Sequence, residues 1–449
     1  MSAEVTGHTN EHVAVVGIGY VGLTLLCALG KAGFTGLGYD INAERVQAVR
    51  QGQVPFAGAE VEMQTLLSDL TREGRLSASN NPADVRTASV IFLAVETPVE
   101  ADDHRPRYTA LRAALASIAP YVAPGALVVV ESTLAPGTIE HVVSPILAEG
   151  TGGNVGRDFF LVHCPERVMP GRLLGNLLTC DRVVGGVTPH CTQRGLAVYA
   201  RVTSGTLYPT DALTAEIVKT AENAYRDVQI AFANELALMC EDLGADVYQV
   251  RELVNSSPYR QMHMPGAGVG GHCIPKDPWL LCSAMTYYQP QLLPTARAIN
   301  DGMPEHLVAL TQRALAREGR TLAESTVTLL GAAYLEETDD TRNTPALAVA
   351  RLFTALGARV RLVDPYVDVL EEFTIMPADE ALAESDALVL ITAHPQFRDL
   401  RLDEVATRLR TRVLIDGRNA FTAEAATAAG LRYLGIGKGT RMREATVSE

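Results

Sequence analysis

The stretch GVGGHCIPKDPW places Cys273 in a glycine-rich loop, with Asp277 four residues later. A cysteine attacks carbon at neutral pH when a nearby cation or backbone N–H groups depress its thiol pKa. Glycines such as Gly270 also let a ligand approach the backbone closely. A free cysteine is otherwise commonly a small, buried, inert residue, and the loop by itself leaves both readings open. His272 and Cys273 are adjacent, which does not match the usual spacing of zinc ligands, so no metal site is expected.

A second pair lies in EIVKTAENAYRD, where Lys219 and Asn223 are four residues apart and therefore share one face of a helix. An ammonium beside an amide can hold a hydroxyl and stabilise the oxyanion formed from it. Taken on the helix alone, a solvated lysine with an asparagine neighbour is the plainer reading.

A third pattern, GIGYVG, sets Gly17, Gly19 and Gly22 at GxGxxG spacing. It follows an apolar strand (residues 13–16) and opens a helix-like stretch (residues 21–32), the context in which helix N–H groups bind a pyrophosphate. Asp40 ends the next strand and is placed to accept hydrogen bonds from an adenosine ribose. A carboxylate there repels a 2'-phosphate, which favours NAD over NADP. The competing role for Asp40 is a turn or cap before INAERV.

These residues need a scaffold, and the chain supplies β-α-β patterning at both ends. SVIFLAV and ALVVVEST read as further strands around a helical YTALRAALASIAPYV. Late in the chain, TVTLLGAAY, NTPALAVARLFTALG and RVRLVDPY repeat the strand-helix-strand order, with Pro345 near the helix start. This late unit has no GxGxxG and should not hold a second dinucleotide in the same manner. Between the two, residues 211–243 form one uninterrupted helical run of roughly 50 Å, stopped by Gly244. Its apolar residues point to several packed faces and a subunit contact. The expected class is α/β: two Rossmann-like doubly wound domains with parallel sheets, joined by a long central helix. The expected divisions are 1–208 for NAD, 209–317 for the helical and catalytic-loop region, and 318–449 for a nucleotide-sugar domain.

The 449 residues are 47% hydrophobic and 20% charged, an ordinary globular composition. A net charge of -14 disfavours nucleic acid and anionic lipid as partners. No run is long enough to span a bilayer, and MSAEVTGHTNEH lacks the features of a signal peptide. Seven scattered cysteines without a CxxC pair fit free thiols in a cytoplasmic protein.

GVGGHCIPKDPW, EIVKTAENAYRDVQIAFANEL, ESTLAPGT and CPERVMPGRLLGNLLTCDRVVGG occur in the order found in the nucleotide-sugar 6-dehydrogenases, and the chain resembles that family from Val13 to about Phe421. The resemblance implies NAD-dependent, four-electron oxidation of a sugar C6 alcohol to a carboxylate, with Cys273 carrying a thiohemiacetal and then a thioester. It implies that Lys219 and Asn223 stabilise oxyanions, that Asp277 assists proton transfer, and that Thr133 and Glu166 position and deprotonate water. Gly17, Gly19, Tyr20, Val21, Gly22, Asp40, Arg45, Thr97, Thr133 and Arg342 fall at cofactor positions. Glu166, Arg167, Lys219, Asn223, Arg260, His263, Gly270 and Arg418 fall at substrate positions, with Arg260 reaching in from a partner subunit and a homodimer formed through the central helix. Guanidinium groups suit phosphate because they pair bidentately.

PERVMPG, DRVVGG and GVGGHCI are closest to the branch acting on UDP-N-acetylmannosamine, with UDP-N-acetylglucosamine and UDP-glucose as alternatives; the lysine of IPKD instead resembles the UDP-glucose branch. Two positions depart from the family pattern: Leu335 stands where a lysine is usual, and Glu96 interrupts the usual VPTP. A one-step hydroxyacid dehydrogenase, which needs no nucleophilic cysteine, and a non-catalytic NAD-binding regulator are the competing functional classes.

Overall fold

The computed structural model describes residues 11–56, 61–100, 102–166 and 173–439. The chain divides into two compact units, Met1–Glu222 with Trp279–Tyr288, and Asn223–Pro278 with Gln289–Glu449.

The first unit is built on β1 (His12–Val16), β2 (Thr35–Tyr39), β3 (Leu76–Ser79), β4 (Val90–Leu93), β5 (Leu127–Val130), β6 (Phe160–His163), β7 (Arg182–Gly186) and β8 (Leu207–Asp211). They form one sheet in the order β3-β2-β1-β4-β5-β6-β7-β8. Neighbours are parallel except β6 and β7, which pair antiparallel. The expected parallel sheet thus carries an oppositely directed edge, a common extension of doubly wound sheets. Alternate residues feed two cores: Val13, Val15, Phe92 and Val129 pack on one face, and Ala14, Val16, Ile91 and Val128 on the other. Burial on both faces explains why these strands read as continuous apolar runs. Strand order reverses between β1 and β4, so the crevice at their carboxyl ends is where such sheets bind ligands.

In the second unit β9 (Thr326–Leu330), β10 (Arg359–Val363), β13 (Ala387–Leu390), β14 (Val413–Asp416) and β15 (Arg432–Gly435) form a parallel sheet in the order β10-β9-β13-β14-β15; β11 (Val369–Leu370) and β12 (Phe373–Thr374) are a small separate hairpin. This repeat differs from the first at the decisive turn. Helix Tyr20–Lys31 begins four residues after β1, whereas the helix after β9 does not begin until Pro345, so no helix N-terminus abuts the strand. Asp364, the counterpart of Asp40, accepts through Oδ2 from the Ala332 and Ala333 amides at 2.6 and 3.0 Å. His394 completes the closure. The Glu337 amide donates to its Nδ1, so Nε2 carries the proton and donates to Asp364 at 3.1 Å.

The long helix spans Ala212–Leu243, 32 residues, and ends where Gly244 takes φ +72°. The chain passes from the first unit to the second within it. No helix among the described residues is long and apolar enough to cross a membrane.

Candidate active site

In the first unit the glycine turn is sterically determined. Gly17 adopts φ +85°, and a Cβ on Gly22 would lie 1.8 Å from the Gly17 carbonyl oxygen. Gly19, by contrast, has nothing within 4 Å of where its Cβ would stand, and no side chain caps the helix that follows it. The open space lies where a pyrophosphate can approach the leading helix amides. Asp40 accepts from the Ile18 amide at 3.0 Å and the Asn42 amide at 2.9 Å, and pairs with Arg45 at 2.9 Å. Helix Ala43–Arg50 is capped by Asn42, not by Asp40. This donor set, with Tyr20 packed edge-on against Phe56 and Val21 beside the turn, fits NAD. Thr97 is buried, its hydroxyl donating to the Thr133 carbonyl at 2.6 Å, while Glu96 is exposed.

Thr133 lies three residues beyond β5 and Glu166 three beyond β6, both at carboxyl ends of strands. Lys219 reaches the same unit from the long helix. It is only 5% exposed, with Nζ 3.6 Å from Glu166 Oε1, so the solvated-lysine reading is overturned. One turn earlier, Glu216 accepts from the Gly137 and Ile139 amides, each at 2.7 Å. It thereby holds the end of the ESTLAPGT segment against the helix. Burial pushes its carboxyl up to about 7. His163 donates from Nδ1 to the Val130 carbonyl at 2.9 Å; burial pushes its pKa down to about 3, so the ring stays neutral. Arg167 lies outside the described residues.

In the second unit Asn223 Nδ2 donates to Asp277 Oδ2 at 2.5 Å. The other carboxylate oxygen is 2.8 Å from Lys276 Nζ, and Asp277 is fully buried. The Cys273 carbonyl accepts from the Lys276 and Asp277 amides at 3.1 and 2.9 Å, so a tight turn couples the thiol-bearing residue to the carboxylate. The Gly271 amide donates to the Arg342 carbonyl at 2.8 Å, and a Cβ on Gly270 would stand 2.4 Å from Tyr334 Cβ. The glycines therefore let the cysteine loop lie directly on residues 334–343. Arg342 forks onto Asp340, with Nε–Oδ1 at 2.9 Å and Nη2–Oδ2 at 2.5 Å. Burial pushes the Asp340 carboxyl up, but this fork outweighs it and the pKa falls below the usual range. Tyr334 is pushed up to about 12, first by burial and then by Asp340.

Arg418 donates from Nε to the Ile391 carbonyl at 2.9 Å, and burial lowers its pKa. No carboxylate among the described residues lies within ion-pair distance of it, which leaves its charge for an anionic ligand. Its guanidinium crosses Gly266, where a Cβ would come within 2.6 Å of Nη1. Arg260 is exposed, and His263 is partly buried with Nε2 3.3 Å from Gln229. Leu335 is 40% exposed. Among the described residues no His, Cys, Asp and Glu group is arranged to hold a metal ion. Lys276, Glu216 and Tyr334 were not among the site residues expected from sequence, although Lys276 lies in GVGGHCIPKDPW and Glu216 opens EIVKTAENAYRD.

Three family models match in succession: the UDP-glucose/GDP-mannose dehydrogenase NAD binding domain at 11–203, its central domain at 213–302 and its UDP binding domain at 328–423. A UDP-N-acetyl-D-mannosamine dehydrogenase of Pyrococcus horikoshii is 36% identical over 95% of this chain and 99% of its own length. The chain belongs to the UDP-glucose/GDP-mannose dehydrogenase family. A solved structure of UDP-D-ManNAc dehydrogenase from P. horikoshii superimposes with a TM-score of 0.90, covering 95% of this chain and 99% of that one. An NDP-N-acetyl-D-galactosaminuronic acid dehydrogenase of Ralstonia solanacearum is 35% identical over 92% of this chain and 96% of its own. As a member of this family the chain is an NAD-dependent oxidoreductase acting on a nucleotide sugar, as its sequence motifs imply.

Proposed function

We propose that the chain oxidises the C6 hydroxyl of a UDP-N-acetylhexosamine, UDP-N-acetylmannosamine in the first place, to the carboxylate in two oxidations: the first, with loss of the hydroxyl proton to water, gives the C6 aldehyde, and the second takes place on Cys273. NAD, when bound at the glycine turn, accepts a hydride in each oxidation. The Cys273 thiolate adds to the C6 aldehyde to form a C–S bond, and loss of a hydride and a proton converts the thiohemiacetal to a thioester. Lys219 and Asn223, one helical turn apart, stabilise the successive oxyanions. The Asn223 amide is aimed by Asp277, whose charge Lys276 balances. Water held near Thr133 then adds to the thioester carbonyl, Glu166 takes its proton, and the C–S bond breaks to release the acid and the thiolate. Arg418, a partly buried guanidinium with only a carbonyl partner among the described residues, supports binding of the diphosphate, with Arg260, His263 and Gly270 along the same ligand.

The observation that carries this reading is the hydrogen bond from Asn223 to Asp277 on the turn that holds Cys273: it joins the helix motif to the cysteine loop. The choice of sugar is supported by the relatives named as UDP-N-acetyl-D-mannosamine dehydrogenases. The NDP-N-acetyl-D-galactosaminuronic acid dehydrogenases at similar identity favour an N-acetylated galacto sugar as the second reading. The test is NADH formed per sugar consumed, for UDP-N-acetylmannosamine, UDP-N-acetylgalactosamine, UDP-N-acetylglucosamine and UDP-glucose, in wild type and Cys273→Ser. About two NADH per sugar with one substrate, lost in the variant, is the expected result. One NADH per sugar regardless of Cys273 would sink the proposal in favour of a one-step dehydrogenase, and NAD binding without turnover on any sugar would favour a regulator.

The same reading includes a homodimer. Leu213, Ile217, Tyr225, Phe232, Met239 and Leu243 are exposed apolar residues of the long helix. At about 100° per residue they fall within an arc of roughly 120°, a continuous stripe suited to the same stripe on a second copy.

A further inference from the structure

We propose that Glu131, Arg182 and Tyr199 form a buried clamp that positions Thr133 and Glu166 for thioester hydrolysis. The inference rests on the two-oxidation reading above. All three residues are 1% exposed and lie beneath the carboxyl ends of β5 and β6. Arg182 Nη2 donates to the two Glu131 carboxylate oxygens at 2.5 and 2.6 Å and to the Cys164 carbonyl at 3.3 Å. The Tyr199 hydroxyl donates to Glu131 Oε1, while its ring lies under the Arg182 guanidinium, 5.0 Å from ring centre to Cζ. Phe92 packs edge-on against the same ring at 6.2 Å.

The clamp acts where the two hydrolytic groups leave the sheet. Glu131 stands two residues before Thr133, and Cys164 two residues before Glu166. Arg182 therefore ties the segment bearing Thr133 to the segment bearing Glu166. The Glu131 main chain adds a second tie, its carbonyl accepting from the Glu166 amide at 3.4 Å. Neighbouring bonds fix the remaining freedom: the Ser132 hydroxyl donates to the Val95 carbonyl at 2.6 Å, and Thr97 holds the Thr133 carbonyl. A buried ion pair is a poor source of stability, because desolvation offsets much of its attraction and apolar replacements often do as well. Its directional bonds, however, set the separation of two loops in a way that apolar packing does not. None of the three side chains is assigned contact with the sugar or the cofactor; they are positioning residues.

The test uses the full-length enzyme with UDP-N-acetylmannosamine and NAD. Tyr199→Phe keeps the ring packed on Phe92 and removes the hydroxyl's bonds to Glu131 and to the Cys164 side chain; Arg182→Lys keeps the charge and removes the Nη2 group that Glu131 and the Cys164 carbonyl share. Rapid quenching with intact-mass detection reads the fraction of enzyme carrying the uronyl thioester on Cys273, and the first NADH burst reads hydride transfer. A displacement of about 1 Å can cost roughly a hundred-fold in rate. For these partial losses the expectation is a roughly ten-fold slower hydrolysis, with accumulated acyl-enzyme and a burst rate within about two-fold of wild type. A clamp that serves only folding would lower Tm and reduce burst and hydrolysis together, with no accumulation. That outcome, or unchanged kinetics in both variants, overturns the proposal. Wild type and Cys273→Ser run alongside: absence of any Cys273 adduct in wild type at every quench time, with one NADH per sugar, refutes the two-oxidation reading and the clamp with it, whereas a wild-type adduct with no accumulation in the variants refutes the clamp alone.

Discussion

Glu216 offers a quantitative test of how the long helix holds the Thr133 segment. It is 1% exposed and accepts from two backbone amides, yet burial outweighs those bonds and raises its carboxyl from 4.5 to about 7. The folded state then binds a proton that the unfolded state has released between those values. Stability from this group is fully present below pH 4.5 and is lost as pH rises to 7. A shift of about 2.5 units at 1.36 kcal/mol each corresponds to about 3 kcal/mol. Glu216→Gln cannot titrate, so the stability of wild type minus variant should fall by this amount between pH 4.5 and 7 and level off above it. At roughly 2–4 °C per kcal/mol for a domain of this size, the Tm difference between the two proteins should change by about 6–12 °C over that window. Calorimetry of both proteins at half-unit pH intervals reads it directly. A Tm difference that stays constant from pH 4.5 to 8 would refute the argument that burial controls this carboxyl.

Arg418→Met should weaken binding of UDP by roughly ten- to a hundred-fold, the equivalent of one or two charge-assisted hydrogen bonds, measured by titration calorimetry; unchanged affinity would remove Arg418 from the diphosphate site. Phe232→Glu, on the exposed stripe of the long helix, should convert a dimer to monomers in light scattering without loss of helicity. A wild-type monomer at the same concentration would count against the dimer.

What the sequence made legible was local. GIGYVG between a strand and a helix specified the turn, because Gly17 and Gly22 meet within six residues. The long helix emerged from an unbroken run ending at Gly244, with an observed span of Ala212–Leu243. Its lysine was harder to read, since the four-residue spacing to Asn223 says nothing of burial, and only Glu166, 53 positions away, reveals Lys219 as a paired internal charge. Glu131 opens ESTLAPGT and Arg182 lies in DRVVGG, but they are 51 residues apart, and neither motif by itself shows that the two side chains pair. The antiparallel pairing of β6 with β7 likewise depends on contact between distant segments. The cysteine loop was recognisable by motif, but the adjacency of Lys276 and Asp277 does not say that the two charges are buried together at 2.8 Å.

The closure of the second glycine turn bears on timing. With Asp364 and His394 joined across it and no helix start beside Gly331, the repeat offers no second berth of the kind formed at Gly17. If the second oxidation takes place on Cys273 after the first has formed the aldehyde, the chain must release one cofactor and admit another while the sugar stays attached. The lifetime of the covalent adduct has to exceed the interval of that exchange, so the slowest event in turnover can be the opening of the first crevice rather than any bond made within it.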